Sequence, residues 1–310
     1  MVTGLIASWI RSLQRPATRS ARGVWLRDRI KRKRIHAVGA VNKAEQILLA
    51  LKYRELLQKK LPLPELEEVE FRAYSQNGED GLLLYIFSLI GSTNKRCIEI
   101  CAGNGIECNT ANLIVNHGWH GLLVDGDKAN VKQGRAFYAN CRDTFSWPPK
   151  FVQAWITTDS VNRLIQDNWF AGEIDLLSLD LDGNDYWIWE AINCIEPRAV
   201  ILEYQNAWGP EESVTQCYDP DFESKPGSRG LPSGASLPAF VKLGRSKGYR
   251  LVGCQRYGFN AVFLKDGVGN DLFPEIPAQA CFRHPLSRYN MAASADHRDA
   301  EVNSVKLVRV

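Results

Sequence analysis

The chain has 310 residues, of which 45% are apolar and 24% are charged, a composition typical of a globular protein with one large core or two modest ones. This composition argues against disorder of the whole chain. The net charge of +3 conceals an asymmetry, because residues 1–60 carry 15 Lys/Arg against 3 Asp/Glu and the rest of the chain carries 23 against 32. The acidic remainder offers no continuing basic track, so we do not expect nucleic-acid binding.

The amino-terminal segment combines basic residues with apolar residues at helical spacing, which are Leu5, Ile6, Trp9, Ile10 and Leu13. We predict a basic, helical extension over residues 1–70. Two interpretations stay open: residues 1–35 contact an anionic membrane surface, or they form a solvated or docked arm. No stretch approaches the roughly 18 apolar residues of a spanning helix, and the start lacks the pattern of a secretory signal.

The eight cysteines include no CxxC pair, and Cys97, Cys194 and Cys254 stand in apolar runs. This usage predicts buried, reduced thiols rather than a disulfide framework. A reducing compartment fits such thiols best. We therefore expect a cytoplasmic protein, with association to the cytoplasmic face of a membrane as an open addition.

The first two predicted elements are helices. One covers residues 42–60 and stops before the linker LPLPEL. Its apolar residues on one face are Ile47, Leu48, Leu51 and Leu56. The second opens with the polar residues of YSQNGEDG and ends at Gly91.

Strand-like and helix-like segments then alternate to about residue 265. The predicted strands cover residues 97–101, 121–125, 151–156, 174–181, 199–204, 249–254 and 260–265. The predicted helices cover residues 106–117, 128–139, 159–168, 184–194 and 236–247. Near-continuous apolar strands between helices predict an α/β fold with a Rossmann-like, doubly wound, mostly parallel seven-stranded sheet over residues 71–270, followed by a tail over residues 271–310. Only QRYGF joins the last two strands, which predicts a terminal antiparallel hairpin.

Ligands of such sheets bind outside the carboxyl ends of the strands. Polar residues recur at these positions, and they are Glu99, Asp125, Asp127, Thr157, Thr158, Asp180, Asp182, Asp185, Glu203 and Asn206. Several carboxylates at one edge raise each other's pKa and destabilise the fold. We therefore expect hydroxyls, an amine or a cation of a ligand to meet them.

The stretch CIEICAGNGIECN, residues 97–109, follows the first strand with a small-residue turn. Gly103 and Gly105 would let a ligand approach the main chain closely, as dinucleotides and S-adenosylmethionine both require. A dinucleotide site favours a third glycine and no acid where Glu107 stands. Glu99 at the strand end favours a cationic ligand, whereas Asp125 would accept ribose hydroxyls from either cofactor.

The stretches YSQNGEDG, EICAGNGIECNTANLI, GLLVDGD, LLSLDLDGNDYWIWEAI and AVILEYQN together resemble the FkbM-type S-adenosylmethionine-dependent methyltransferases over residues 71–265. The resemblance implies that Glu99, Gly103 and Gly105 surround the amino-acid end of the cofactor and that Asp125 binds its ribose. It also implies that residues of the YSQNGEDG segment, such as Gln76 and Glu79, contact the cofactor or the substrate. The turn after the first strand and the carboxyl ends of the strands add Asn104, Thr157 and Asp180 to the predicted cofactor set. Cys101 departs from the pattern, because methyltransferase loops usually carry glycine there.

The segment DLDGNDYW more distantly resembles part of the magnesium-dependent sugar O-methyltransferases. Carboxylates of Asp182, Asp185 and Glu203 would hold Mg²⁺ or another divalent cation that also binds a substrate hydroxyl. In the alternative, Asp182 caps the next helix and Glu203 binds backbone. Asp182 and Asp185 are thus candidate catalytic residues, and His284 in the tail is a candidate general base.

Residues 206–236 form a long loop that leaves the same edge of the sheet. Loops of this length in a compact domain are usually functional or disordered. We expect a substrate lid in which Trp208, Tyr218 and Phe222 stack on a sugar ring or an apolar body, with a disordered surface loop as the alternative.

These features together predict an S-adenosylmethionine-dependent methyltransferase that acts on a hydroxyl of a sugar or glycan-like acceptor. Two other functions stay open. One is an NAD(P)-dependent oxidoreductase, and the other is a non-catalytic scaffold that retains the fold. The acceptor and the oligomeric state cannot be read from these residues.

Overall fold

The computed structural model describes residues 43–223, 233–292 and 306–310. The chain divides into two compact units, Met1–Ala40 and Val41–Val310, and every described residue belongs to the second. Residues 43–70, which the sequence analysis assigned to the amino-terminal extension, belong to the same unit as the sheet. The predicted amino-terminal helix over residues 1–35 lies outside the described residues.

The α-helices are α1 Lys43–Gln58, α2 Glu79–Ile90, α3 Ala111–His117, α4 Lys128–Asn140, α5 Val161–Asp167, α6 Asp185–Ala191 and α7 Leu237–Ser246. The strands are β1 Arg96–Ile100, β2 His120–Asp125, β3 Lys150–Gln153, β4 Gly172–Leu179, β5 Ile195–Glu203, β6 Val214–Gln216, β7 Tyr249–Cys254, β8 Asn260–Lys265 and β9 Leu307–Arg309. Among these helices, none is long and apolar enough to cross a membrane.

Seven strands form one sheet in the order β3-β2-β1-β4-β5-β8-β7. The first five strands pair in parallel, and β8 pairs antiparallel with both β5 and β7. The structure thus confirms the predicted Rossmann-like, mostly parallel sheet with its terminal hairpin. The sequence analysis missed a second, two-stranded sheet, in which β6 pairs antiparallel with β9.

Helices cover both faces of the large sheet, because successive side chains of a strand point to opposite faces. In β1, Ile98 and Ile100 pack into a core with α5, α6 and α7, whereas Cys97 packs into a core with α2, α3 and α4. Both faces of the parallel strands are therefore buried. This leaves the ends of the strands as the part of the sheet where ligands and solvent have access.

Helix α1 buries a different face from the one that its apolar pattern indicates. Leu48 is 65% exposed, whereas Tyr53 is 8% exposed and packs edge-on against Tyr85 of α2 at 4.8 Å between ring centroids. Gln46 is buried and accepts hydrogen bonds from the side chains of Asn112 and His117. Aromatic packing and a buried hydrogen-bond network therefore orient this helix, and its leucine-rich face is left exposed.

Candidate active site

The register of four neighbouring strands places four residues side by side at the carboxyl ends of the strands. Ile100 of β1 pairs with Val124 of β2 and Leu179 of β4, and Leu179 pairs with Leu202 of β5. The next residues along these strands are Asp125, Cys101, Asp180 and Glu203, in the spatial order β2-β1-β4-β5. We call this group the carboxyl-edge row.

The turn after β1 begins in the left-handed region of backbone conformation, with φ of 62° at Cys101, 56° at Gly103 and 67° at Gly105. A Cβ on Gly105 would lie 2.7 Å from the ring of Phe151, so packing and conformation both require glycine there. A Cβ on Gly103 would meet no atom within 4 Å. Of the two glycines, Gly103 is therefore the one whose backbone a ligand can approach.

Cys101 has an exposed surface yet is enclosed by protein on most sides. This enclosure raises the pKa of its thiol, and the nearby carboxylates of Asp185 and Asp125 raise it further. Cys101 therefore stays protonated and uncharged. The row is thus a neutral thiol flanked by acids.

Glu99 is 3% exposed, and its carboxylate binds the segment that leads into α3. Its oxygens accept hydrogen bonds from the backbone N–H of Asn109 at 2.9 Å and of Thr110 at 2.8 Å. The hydroxyls of Thr110 and Ser178 also donate to it. This anchoring keeps residues 106–110 out of the helix, so α3 begins at Ala111 rather than at residue 106 as predicted. Contact between Glu99 and a cofactor stays a prediction.

Asp125 offers one oxygen to a ligand. Its Oδ1 accepts hydrogen bonds from the backbone N–H of Asp127 at 2.9 Å and from the side chain of Asn130 at 3.1 Å. No residue in the described ranges donates a hydrogen bond to Oδ2. These contacts orient the carboxylate at the start of α4, where its free oxygen can accept a hydroxyl hydrogen.

The other predicted cofactor residues differ in how accessible they are. Gln76 is exposed and donates to Glu107 at 3.3 Å, which brings the loop before α2 against the turn after β1. Asn104 accepts the backbone N–H of Ile106 at 2.9 Å, a local turn contact. Thr157 exchanges hydrogen bonds with Ser160 at the start of α5.

Glu79 is completely buried and accepts a hydrogen bond from the side chain of Asn260 at 2.8 Å. Asn260 is the first residue of β8 and pairs in register with Glu203. The sequence analysis missed Asn260, although its position directly after the hairpin turn is a signal that it lies at this edge. The contact ties the reversed strand to the start of α2 beside the row.

Three carboxylates form a group that can hold a cation. One oxygen from each of Asp180, Asp182 and Glu203 lies within 4.8 Å of the others. Burial and neighbouring acids raise the pKa of Asp180 to about 6 and that of Glu203 well above its ordinary value. The charge of Asp180 contributes to the raised pKa of Glu203, so the two carboxylates interact electrostatically.

The ligand set of Asp182, Asp185 and Glu203 stays a prediction, in which Asp185 differs from the other two because it lies outside this group of three carboxylates. Its carboxylate is buried and accepts the backbone N–H of Leu181 at 2.7 Å and of Gly183 at 3.1 Å. Burial raises its pKa to about 7, with a further contribution from Asp180. Asp185 therefore shapes the loop, and Asp180 lies beside Asp182 and Glu203 in the group that can hold a cation.

The predicted lid packs on the same loop through its described parts, residues 206–223 and 233–236. The side chain of Asn184 donates to the carbonyl of Asp219 at 2.7 Å, and Ser233 donates to the carbonyl of Asp182 at 2.6 Å. A Cβ on Gly183 would lie 2.4 Å from the ring of Phe222. Lid residues therefore cover the acidic loop.

Two of the aromatic residues predicted to stack on a substrate have other contacts in the described structure. Trp208 is 5% exposed, and its indole N–H donates to the carbonyl of Gly234 at 3.3 Å. The hydroxyl of Tyr218 accepts the backbone N–H of Thr158 at 3.1 Å. Trp208 is thus a packing residue of the lid, and its predicted stacking role does not fit its burial.

His284 lies in a separate cavity of about 210 Å³ that it lines with Cys254, Arg256 and Cys281. Its ring packs edge-on against Tyr257 at 4.9 Å, and its Nδ1 accepts the backbone N–H of Leu286 at 3.1 Å. None of these contacts involves the acidic group. The structure therefore gives no support to His284 as a general base.

Several solved methyltransferase structures resemble the chain in overall arrangement. The magnesium protoporphyrin IX methyltransferase ChlM from Synechocystis PCC 6803, solved with bound S-adenosylmethionine, aligns with 61% of this chain and 78% of its own, at 9% identity and a TM-score of 0.38. The methyltransferase domain of bacterial CtHen1-C aligns with 60% of this chain and 97% of its own, at 12% identity and a TM-score of 0.40. The glycopeptide N-methyltransferase MtfA with S-adenosyl-L-homocysteine aligns with 55% and 82%, at 11% identity and a TM-score of 0.34.

No protein-family model matches the chain, and no curated protein matches it in sequence. Identities and TM-scores of the size found for the solved structures leave the function to be argued from the site itself.

Proposed function

We propose that the chain is an S-adenosylmethionine-dependent methyltransferase of the FkbM type, which methylates a hydroxyl oxygen of a sugar or glycan-like acceptor with the help of a divalent cation. The observation that carries this proposal is the carboxyl-edge row beside the open backbone of Gly103. Free thiols are consistent with action in the cytoplasm.

The charge of the cleft favours this cofactor over a dinucleotide. Asp125, Asp180, Asp182 and Glu203 make the cleft acidic, and Glu107 is exposed in the turn after β1. Such a cleft attracts a sulfonium and repels a diphosphate. The free Oδ2 of Asp125 is available to ribose hydroxyls, and Gly103 leaves space for the amino-acid end of the cofactor.

S-adenosylmethionine supplies a methyl group that its sulfonium already activates. The protein's part is then to hold the acceptor oxygen in line with that methyl group, an effect that contributes up to roughly 7–11 kcal/mol. The oxygen forms the new C–O bond as the S–C bond breaks, and the hydroxyl proton must leave. The carboxylates of Asp180, Asp182 and Glu203 are the groups placed to accept it.

The same three carboxylates have the hard oxygen donors that Mg²⁺ prefers. A cation bound there would lower the pKa of a coordinated hydroxyl. Asp182 is exposed and has φ of 59°, a conformation that is strained for a residue with a side chain. Contacts of the lid and of Asp185 hold the loop over residues 181–184 and so stabilise this strained conformation. In this conformation the carboxylate of Asp182 is available to a ligand.

Cofactor choice is tested by thermal unfolding with S-adenosyl-L-homocysteine and, separately, with NAD(P). We expect stabilisation by the first and not by the second, since a ligand stabilises the state that binds it. Stabilisation by the nicotinamide alone would overturn the proposal. No stabilisation by either, in a protein that is folded, would favour the scaffold function.

Methyl transfer is tested with a methyl-labelled donor and a panel of sugars and glycans, with Mg²⁺ added or chelated. We expect chelation of the metal and the Asp182→Asn substitution each to lower turnover at least a hundredfold. Binding of S-adenosyl-L-homocysteine should change little in both cases. Asp271→Asn is the matched control, because Asp271 is exposed in the segment that follows β8 at the opposite edge. Full activity of Asp182→Asn without metal would remove the cation from the mechanism.

A further inference from the structure

A second surface of the molecule carries large exposed rings, at the amino ends of the parallel strands. Phe145 is 63% exposed and Trp147 is 74% exposed, in the loop that precedes β3. Trp169 is 82% exposed, in the loop that precedes β4. We call these three residues, with Arg96 and Lys150, the aromatic edge. It lies at the opposite end of the parallel strands from the carboxyl-edge row.

Ring contacts join the aromatic edge into one surface. The indole N–H of Trp147 donates to Nδ1 of His120 at 3.0 Å, and the ring of His120 stacks on Phe170 at 5.3 Å. The guanidinium of Arg96 lies 4.6 Å from the centroid of Phe170. Arg96 also donates a hydrogen bond to the backbone carbonyl of Trp169. Trp147 and Trp169 are therefore linked through one network of contacts.

The cations of this surface have no acidic partner. The ammonium of Lys150 lies 4.5 Å from the ring centroid of Trp169 and donates to the carbonyl of Asn168 at 2.8 Å. Neither Lys150 nor Arg96 forms an ion pair with any residue that the structure describes. Burial lowers the pKa of His120, and the positive charges of Lys150 and Arg96 lower it further. The two cations therefore act on the imidazole that contacts Trp147.

Two of the acids near these rings in sequence are already paired. Asp143 forms an ion pair with Lys43 at 2.7 Å, and Asp167 forms one with Arg163 at 3.5 Å. The carboxylates of these two acids are therefore engaged away from Arg96 and Lys150, whereas Glu173 near the start of β4 is exposed. Exposed indoles beside free cations combine the two features that bind proteins to membranes, since Trp prefers the headgroup level and Lys/Arg attract anionic lipids.

We infer that the aromatic edge is a docking surface for an anionic lipid membrane. Large exposed apolar side chains in a contiguous patch mark an interaction site. Anionic headgroups complement Arg96 and Lys150, while the indoles of Trp147 and Trp169 enter the interfacial region. This surface is formed by residues of the large sheet and of the loops that precede its strands.

Docking through this surface sets the direction of the active site. Strand β4 has 8 residues and runs from the aromatic edge to the carboxyl-edge row. At about 3.3 Å per residue, the two edges are roughly 26 Å apart. The cleft therefore faces away from the bilayer, and an acceptor reaches it from solution or on a long glycan.

The test is co-sedimentation of the full chain with vesicles of phosphatidylcholine alone or with phosphatidylserine added. We expect binding to the phosphatidylserine vesicles only. Trp147→Ala with Trp169→Ala should weaken it at least tenfold, and Lys150→Gln about fivefold, the effect of one cation near such a surface. Trp155→Ala is the matched control, because Trp155 is 52% exposed but follows β3 at the other edge.

Equal sedimentation of the wild type and the double tryptophan variant would overturn the inference. Loss of binding in Lys150→Gln with none in the tryptophan variant would overturn it in favour of a soluble polyanion. A change in oligomeric state with the tryptophan variant would overturn it in favour of a protein interface. Circular dichroism of each variant checks that it is folded. Methyl transfer to a soluble acceptor should be unchanged, which keeps this test separate from that of the proposed function.

Discussion

The two glycines of the turn after β1 have different surroundings, and this difference can be tested residue by residue. Gly105→Ala introduces a methyl group 2.7 Å from Phe151 at a φ of 67°. We expect the free energy of unfolding to fall by about 2–5 kcal/mol, since a left-handed side chain costs about 1–2 kcal/mol and overpacking about 1–3 kcal/mol. Urea unfolding measures this change.

Gly103→Ala is the matched control, because it has a similar φ of 56° and open space around the new methyl group. We expect it to lose only the conformational part of the stability, about 1–2 kcal/mol. It should instead weaken binding of S-adenosyl-L-homocysteine, because the methyl group occupies the space assigned to the cofactor. Equal losses of stability in both variants would contradict the packing argument.

At the scale of the element, the start of α3 depends on one buried carboxylate. Glu99→Ala would leave the backbone N–H groups of Asn109 and Thr110 buried without an acceptor, at about 1–3 kcal/mol each. We expect a loss of about 2–6 kcal/mol in the free energy of unfolding, measured by urea. Glu107→Ala should change it by less than about 0.5 kcal/mol, because Glu107 is exposed. Similar losses in the two variants would show that Glu99 does not hold this turn.

Elements were predictable where one periodicity dominated. The seven strands of the large sheet follow from their apolar runs, and the hairpin follows from the short QRYGF connection. The buried face of α1 was not predictable from its own apolar pattern. Tyr53 and Gln46 are buried because they contact residues of other helices, whereas Leu48 and Leu51 of α1 stay exposed. The start of α3 was missed for the same reason, since Glu99 acts on it from a neighbouring strand.

At the scale of the whole molecule, the location of the candidate site could be predicted from the alternation of strands and helices. The exact set of residues that form the site could not. The sequence predicts that Asp125, Asp180 and Glu203 lie at one edge. It cannot show that Asp185 turns back onto the backbone of its own loop, because that depends on the path of residues 181–184. Nor does its pattern place residues 306–310, which pair with the lid from the far end of the chain.

This long-range pairing gives a prediction for the whole molecule. Removing residues 306–310 deletes β9 and leaves β6 without its partner, and β6 ends at Gln216, whose carbonyl accepts the indole N–H of Trp187 at 2.8 Å. We expect the KM for the acceptor to rise several-fold while the thermal shift with S-adenosyl-L-homocysteine stays the same. Val308→Ala, which keeps the backbone pairing, is the control. A truncated protein with unchanged kinetics would show that the carboxyl terminus does not support the lid.

The alignment of four strands has a consequence for how faults in this protein would show. Asp125, Cys101, Asp180 and Glu203 each stand one position past the last level at which β2, β1, β4 and β5 pair with one another. A slip of β4 by a single residue would bring Leu179 or Leu181 to the level of Asp180 and turn its side chain to the other face. A measurement of turnover would therefore distinguish the native register of β4 from a register shifted by one residue, even if both conformers were equally compact.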